Sequence, residues 1–416
     1  MLQKIRMWLV NGALGVFALL LTYAAVEWTF PRVFTRIFPL SMATKFDEFD
    51  GVWPLLQSTK QGEYPEDYIA VVGDSYAMGM GDAMYEGWPN PRQPRFSSAP
   101  TIQDLTGRDV VTFGQPGSGS IRGAISNPIG ALHYLRRVVD KDFPAPSWTL
   151  VYFYEGNDLT ENWMYYEKTF LPDHAAADYE QPSVFDQYIR DVALGRQHLY
   201  LAGEAATWKN RLFFYRFAYR VFAENVFGKK FYKKKYPNEF GLIYVPQARW
   251  VPRKVAEPVN HAWINGQSTP LPDNLQGPSL DLSQNQLEQA VGTFDKALAW
   301  SRGHFPNTRF AVVYIPSVLS VYHLAGSEVE AQNLFSDSAT RFTVAAVEQR
   351  HTWMVNAIAQ ASQKQGVTFI DATPDLRQAA ETQTLHGPHD WNHFSRRGYE
   401  ILGTSVVRQL PALRTK

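Results

Sequence analysis

The sequence predicts an α/β fold, a parallel sheet of five strands with packed helices, carried behind one N-terminal membrane-spanning helix. Three observations predict it. Short apolar, β-branched runs alternate with helical stretches early in the chain and again late. Each of the first three runs ends in a block of Gly, Asp or Asn, as strands do where they turn into loops. Met7 to Val26 is an apolar run of bilayer length.

The N-terminal run comes first. Over twenty residues only Asn11 and Thr22 are strongly polar. Lys4 and Arg6 precede it, so the N-terminus is expected in the cytoplasm and the rest of the chain outside it, in the periplasm. The run is long for a cleaved signal, and the nearest small-x-small site, Thr22-Tyr23-Ala24, is not a clean one. Residues 1–29 are therefore expected to be an uncleaved inner-membrane anchor. Residues 30–66, with Pro31, Pro39, Pro54 and Pro65 among aromatics, read as a stalk packing on the domain.

The domain is expected over 67–416. Its strands are Tyr68–Val72, Asp109–Phe113, Trp148–Tyr154, Arg309–Tyr314 and Val367–Ile370. A helix after the first strand is weakened by Gly79 and Gly81. Further helices are expected at Ser283–His304, Arg341–Gln365 and Arg396–Leu410. Between the third and fourth strands the alternation stops, and about 159–277 reads as an insertion or cap.

Composition narrows the function. Lys+Arg and Asp+Glu are both 40, so nothing global suggests a nucleic-acid partner. Cysteine is absent, which excludes disulfides, thiolate metal sites and a cysteine nucleophile. Aromatics are 14%, with 12 Trp and 21 Tyr, enough for a sugar-lined surface or a large core.

Four blocks carry chemistry. Gly73-Asp74-Ser75 follows the first strand and puts a serine hydroxyl at a strand-to-helix turn, near a helix N-terminus that favours developing negative charge. Gly114-Gln115-Pro116-Gly117 follows the second strand, and its free backbone N–H groups suit an oxyanion. Gly156-Asn157-Asp158 follows the third, with an Asn amide as neutral donor. Asp390-Trp391-Asn392-His393 precedes the last helix. There a carboxylate three residues before an imidazole can hold its tautomer and leave the other nitrogen as a general base. Read singly, each block is an ordinary cap or turn. His386, His389 and His393 have metal-like spacing, but no second acidic or Cys cluster supports a metal.

Together, in this order, the blocks resemble the SGNH/GDSL hydrolase superfamily. The resemblance covers the core of the chain, not the N-terminus or the middle. It implies a flavodoxin-like three-layer α/β/α fold and a serine esterase or O-acyltransferase needing neither cofactor nor metal. By matching position it implies Ser75 as nucleophile, Asp390 and His393 as its partners, and Ser75 N–H, Gly117 N–H and the Asn157 amide as oxyanion hole. Tyr76, Thr112 and Glu155 depart from the family pattern, and Gly114 competes with Gly117 for the oxyanion role.

Three functions fit. Membrane-anchored proteins of this family act in envelope polysaccharide modification, as in alginate and peptidoglycan acetylation. That implies acyl transfer to a cell-envelope glycan, with a membrane-bound acyltransferase as partner. The alternatives are an esterase acting on glycan or lipid esters, and a non-catalytic scaffold. Substrate-binding residues are not assigned, although Trp163, Tyr165, Tyr166 and Trp208 offer stacking faces to sugars if the insertion walls the cleft. Residues 209–237 interleave aromatics with Arg and Lys, a pattern suited to a membrane surface or to plain packing.

Overall fold

A computed structural model describes residues 1–37, 59, 67–87, 96–138, 144–194, 212, 214–215, 218–219, 260–272, 275–334 and 338–414. Nine strands occur among them: β1 (Tyr68–Val72), β2 (Asp109–Thr112), β3 (Trp148–Tyr154), β4 (His261–Ile264), β5 (Gln267–Pro270), β6 (Arg309–Ile315), β7 (Glu328–Gln332), β8 (Ala339–Thr343) and β9 (Thr368–Asp371). Five of them form one sheet in the order β2-β1-β3-β6-β9, every pair parallel. These are the five strands read from the sequence, their ends shifted by at most a residue or two. In sequence order of the core strands this is 2-1-3-4-5, the flavodoxin-like order.

Both faces of the sheet are covered, which is why its strands are apolar throughout instead of alternating. Ile69, Val71, Leu150, Tyr152, Ala311 and Val313 face one layer, built on helices Ala99–Thr106, Thr373–Ala380 and Arg396–Gln409. Tyr68, Ala70, Val151, Phe153 and Val312 face the other, built on Asn127–Val138, Gln284–His304 and Val344–Lys364. The helices start where capping chemistry allows. Ser283 caps Gln284–His304 in a reciprocal box with Gln286, and the Ser395 hydroxyl accepts from Gly398 N at the start of Arg396–Gln409. The helix expected from Arg341 begins later, at Val344, because Arg341 lies in β8.

After β1 the chain makes one short helix, Ser75–Met78, breaks at Gly79 (φ +85°), and starts another at Asp82–Gly87. The glycines expected to weaken a single helix thus divide it. Two antiparallel hairpins, β4–β5 and β7–β8, lie outside the main sheet. The first falls inside the region expected to be an insertion without strand character.

That region divides further. Helices at Asp158–Tyr165 and Pro182–Tyr188, with the segments between and after them, bury Tyr166, Phe170, Tyr179, Phe185 and Tyr188 against Ile121, Ile125 and Ala297. This first part of the insertion extends the helical layer on the sheet's second face. Most of the rest, including most of 209–237, lies outside the described residues.

The N-terminal helix runs Leu2–Ile37, past Pro31 and beyond the expected anchor boundary. Within Gln3–Phe30 the most apolar 18-residue window has a mean hydropathy of 2.0 and none of it is buried, so the helix is long and apolar enough to cross a membrane. Glu27 near its C-terminal end accepts from the backbone N–H groups of Phe214 and Tyr215, both at 2.8 Å, and Phe214 packs edge-on against Phe30.

Candidate active site

The strand order reverses direction between β1 and β3, and open parallel sheets open a crevice at the carboxyl ends of such strands. Ser75 follows β1 and Asn157 follows β3, so two of the sequence-derived groups flank this point. Asp74 holds the nucleophile turn by accepting from Tyr76 N at 2.9 Å.

The loop before the last helix brings His393 to the serine. His393 Nε2 lies 2.8 Å from Ser75 Oγ, and His393 Nδ1 lies 2.7 Å from Asp390 Oδ2. With Asp390 accepting at Nδ1, Nε2 is left as the acceptor of the serine proton. The hydroxyl has a second acceptor in reach, Asp74 Oδ2 at 3.3 Å, but the shorter bond is to the imidazole. Asp390 and Ser75 are buried and His393 is nearly so. Burial disfavours the imidazolium, yet the Asp390 carboxylate in contact, and Asp74 and Asp82 beyond it, hold the His393 pKa above its ordinary value.

Three residues from elsewhere in the chain fix the histidine loop. Asp82 accepts from the backbone N–H groups of His389 (2.8 Å) and Asp390 (3.1 Å). Tyr76 donates its hydroxyl to the carbonyl of Asn392 (2.8 Å) and stacks on Tyr154. Asn392 Oδ1 accepts from Gln276 N (3.0 Å). Tyr76, a departure from the family pattern in the sequence, is thus an aromatic post beside His393, the two ring centroids 5.4 Å apart.

The two competing glycines are separated by packing. Gly114 is buried, and a Cβ there would fall 2.6 Å from the Ala77 carbonyl carbon, so it is glycine because the nucleophile helix presses on it. Gly117 is exposed, has φ +64°, and a Cβ there would meet only Glu161 Oε1 at 3.9 Å. Of the two, only Gly117 opens toward Glu161. Asn157 is buried, and its Nδ2 donates to Glu161 Oε1 at 3.3 Å. Asp158 closes the turn by accepting from Tyr154 N at 2.9 Å.

Glu155 faces away from the serine into a network of its own. It is fully buried and accepts from Tyr314 Oη (2.8 Å), Ser317 N (2.6 Å) and His351 Nδ1 (2.6 Å). Burial opposes its charge, but His351 and these donors outweigh that and hold its pKa below the usual carboxylate range.

The aromatic faces expected to line a sugar cleft are placed otherwise. Tyr166 is buried, with its ring 4.7 Å from that of Tyr179, and Trp163 packs against Tyr166 and the second-face core. Tyr165 packs edge-on against Tyr188. Tyr166 is thus committed to packing, while Trp163 and Tyr165 are half-buried against the same layer. Trp208 lies outside the described residues. Of the three spaced histidines, His386 is buried with Nδ1 3.0 Å from the Tyr322 hydroxyl, and burial, aided by the nearby His393, pushes its pKa down to about 3. Among the described residues no group of three His, Asp or Glu side chains is arranged to hold a metal.

No protein-family model and no curated protein matches the chain. Solved structures similar to it include a protein of the G-D-S-L family from Desulfitobacterium hafniense DCB-2 (8% identity, TM-score 0.31, covering 83% of this chain and 100% of that one). An extracellular lipase from Streptomyces rimosus is similar at 11% identity and TM-score 0.36, covering 83% and 98%. An alpha/beta hydrolase enzyme from the metagenome of Lake Arreo, Spain, is similar at 8% identity and TM-score 0.33, covering 85% and 99%. At this distance the reading of the site rests on its own geometry.

Proposed function

We propose that the chain is a serine acyl-ester enzyme of the SGNH type. The observation that carries this is the continuous hydrogen-bonded line Ser75 Oγ, His393, Asp390 at the carboxyl edge of the sheet. In this reading His393 Nε2 takes the Ser75 proton as Oγ bonds to the ester carbonyl carbon. The oxyanion is met by Ser75 N–H, Gly117 N–H and the Asn157 amide. The tetrahedral adduct collapses to an acyl-serine, and the departing alkoxide takes the proton from His393. An acceptor hydroxyl then gives its proton to His393 and attacks the acyl carbon, and Ser75 recovers its proton as it leaves.

Water and a sugar hydroxyl are equivalent acceptors in that scheme. The finer reading is that the acceptor is a cell-envelope glycan and that acyl groups come through a membrane-bound partner. It is supported by the membrane-length N-terminal helix, which would hold the domain beside the envelope. Hydrolysis of glycan or lipid esters is the alternative, using the same intermediate.

The test is labelling of full-length protein in mild detergent with a fluorophosphonate, beside turnover of a p-nitrophenyl acyl ester. Wild type is expected to label at Ser75 and turn over, and Ser75→Ala to do neither. Equal labelling of Ser75→Ala would overturn the assignment. Adding envelope glycan and following acyl transfer by mass distinguishes transfer from hydrolysis.

A further inference from the structure

We infer that Glu161, in its protonated form, is a positioning residue of the oxyanion hole, orienting the Asn157 amide toward the ester carbonyl, and that its ionisation switches turnover off. This rests on the acyl-serine reading and adds a residue and a control to it.

The geometry comes from three sides. Glu161 sits one helical turn after Asn157, the i,i+4 spacing that lets side chains meet, and its Oε1 accepts from Asn157 Nδ2 at 3.3 Å. The same Oε1 is the nearest atom to the empty Cβ position of Gly117, so it lies between two of the oxyanion-hole groups. Glu161 Oε2 and Asn157 Oδ1 are both out of solvent and without a hydrogen-bond partner among the described residues. A carboxylate in that position would be a charge with an unsatisfied oxygen beside a developing oxyanion, which costs heavily on both counts. A carboxylic acid is neutral there and removes the buried charge.

The surrounding charges favour the acid. Asp74 faces Glu161 from the turn after the first strand; Asp158, on Glu161's own helix, has its own pKa raised by burial, Asp74 and Glu161; among the described residues Arg122, which donates to the Gly117 carbonyl at 3.2 Å, is the cation that opposes. Burial first, then Asp74, raise the Glu161 pKa to about 8, against the opposing pull of Arg122. As pH rises through that value the acid is lost and an anion appears beside the Asn157 amide. The amide keeps one hydrogen on Oε1 in either state, but the new charge repels the oxyanion that its other hydrogen would meet.

The test is the pH profile of kcat and KM for full-length protein with a p-nitrophenyl ester, with Ser75→Ala rates subtracted as background. Wild-type kcat is expected to rise as His393 loses its proton and to fall again with a midpoint near 8. Glu161→Gln keeps the acceptor oxygen and cannot ionise, so its alkaline fall should vanish. Glu161→Ala removes the acceptor, and kcat at neutral pH should drop about 10-fold or more, short of losing a whole oxyanion donor, with KM little changed. Glu161→Gln should restore most of that loss. An alkaline limb in Glu161→Gln identical to wild type overturns the inference, as does wild-type kcat in Glu161→Ala. Should wild type fail to label at Ser75, the acyl-serine reading falls and this inference with it. Should wild type label but the Glu161 variants behave as wild type, only the inference falls. Glu161→Gln is nearly isosteric, so it carries the test even if Glu161→Ala does not fold.

Discussion

Replacing Glu155 with Gln tests whether the buried network behind the candidate site holds the fold. The carboxylate accepts from Tyr314 Oη, Ser317 N and His351 Nδ1, and all three partner residues are buried. An amide keeps one acceptor oxygen and turns the other into a donor. If that oxygen stays on Tyr314 and His351, the new NH2 faces the Ser317 N–H, donor against donor. If it turns to Ser317, the NH2 faces the Tyr314 hydroxyl, which can rotate, and His351, which can accept only as the neutral ring. The second arrangement is the cheaper, so the cost is about 1.5–3 kcal/mol for losing charge-assisted bonds. That is less than the roughly 3–5 kcal/mol expected when a buried pair loses a partner outright.

The pH dependence follows from the two groups. The folded pKa of Glu155 is depressed, so its contribution is present above the ordinary value of 4.5 and is lost as pH falls through the folded one. For His351 burial pulls the pKa down, but Glu155 outweighs this and raises it above 6.5, so its contribution is complete below that value and is lost as pH rises through the folded one. The gap between wild type and Glu155→Gln should therefore be widest between about pH 4.5 and 6.5 and narrow on either side. Equilibrium urea unfolding of full-length protein in mild detergent, followed by tryptophan fluorescence at acid, intermediate and alkaline pH, measures it. A gap below about 0.5 kcal/mol, or one that does not change with pH, would refute the account.

Two other predictions address the histidine loop and the anchor. Tyr76→Phe leaves the Asn392 carbonyl without its donor next to His393, and a loosened base should lower kcat about 10-fold with KM nearly unchanged; an unaltered kcat would show that Asp82 and Gln276 suffice to hold the loop. A reporter fused after Lys416 should be active only outside the cytoplasm, given the membrane-length helix and the Lys4 and Arg6 that precede its apolar run. Cytoplasmic activity of that fusion would reverse the topology.

The core sheet was legible because parallel strands buried on both faces read as unbroken apolar runs, and Tyr68–Val72, Trp148–Tyr154 and Arg309–Ile315 are such runs. The hairpins were not. His261–Ile264 and Gln267–Pro270 are four residues each, and the second is almost wholly polar. Yet a signal was present: Asn265-Gly266 links them with both residues at positive φ, the two-residue turn that Asn-Gly favours. The early insertion misled for a different reason. Its aromatics are equally suited to stacking on a sugar and to filling a core, and composition does not say which way the helix carrying them turns.

The candidate site divides the same way. Asp390 and His393 were legible because three residues of chain suffice to join carboxylate to imidazole. Ser75 was legible because a strand end places it at the sheet edge. Each of the residues that hold these groups in place depends on a contact from far along the chain: Asp82 on His389 and Asp390, Tyr76 on Asn392. The choice between Gly114 and Gly117 was undecidable from sequence for that reason. Both glycines fit an oxyanion loop, and only the press of Ala77 on Gly114 accounts for one of them by packing. Glu161 is the exception. Its i,i+4 relation to Asn157 was readable from the chain alone once Asp158 began a helix. What the spacing could not supply is the burial and the neighbouring Asp74 that raise its pKa, and on those the proposed control of the oxyanion hole depends.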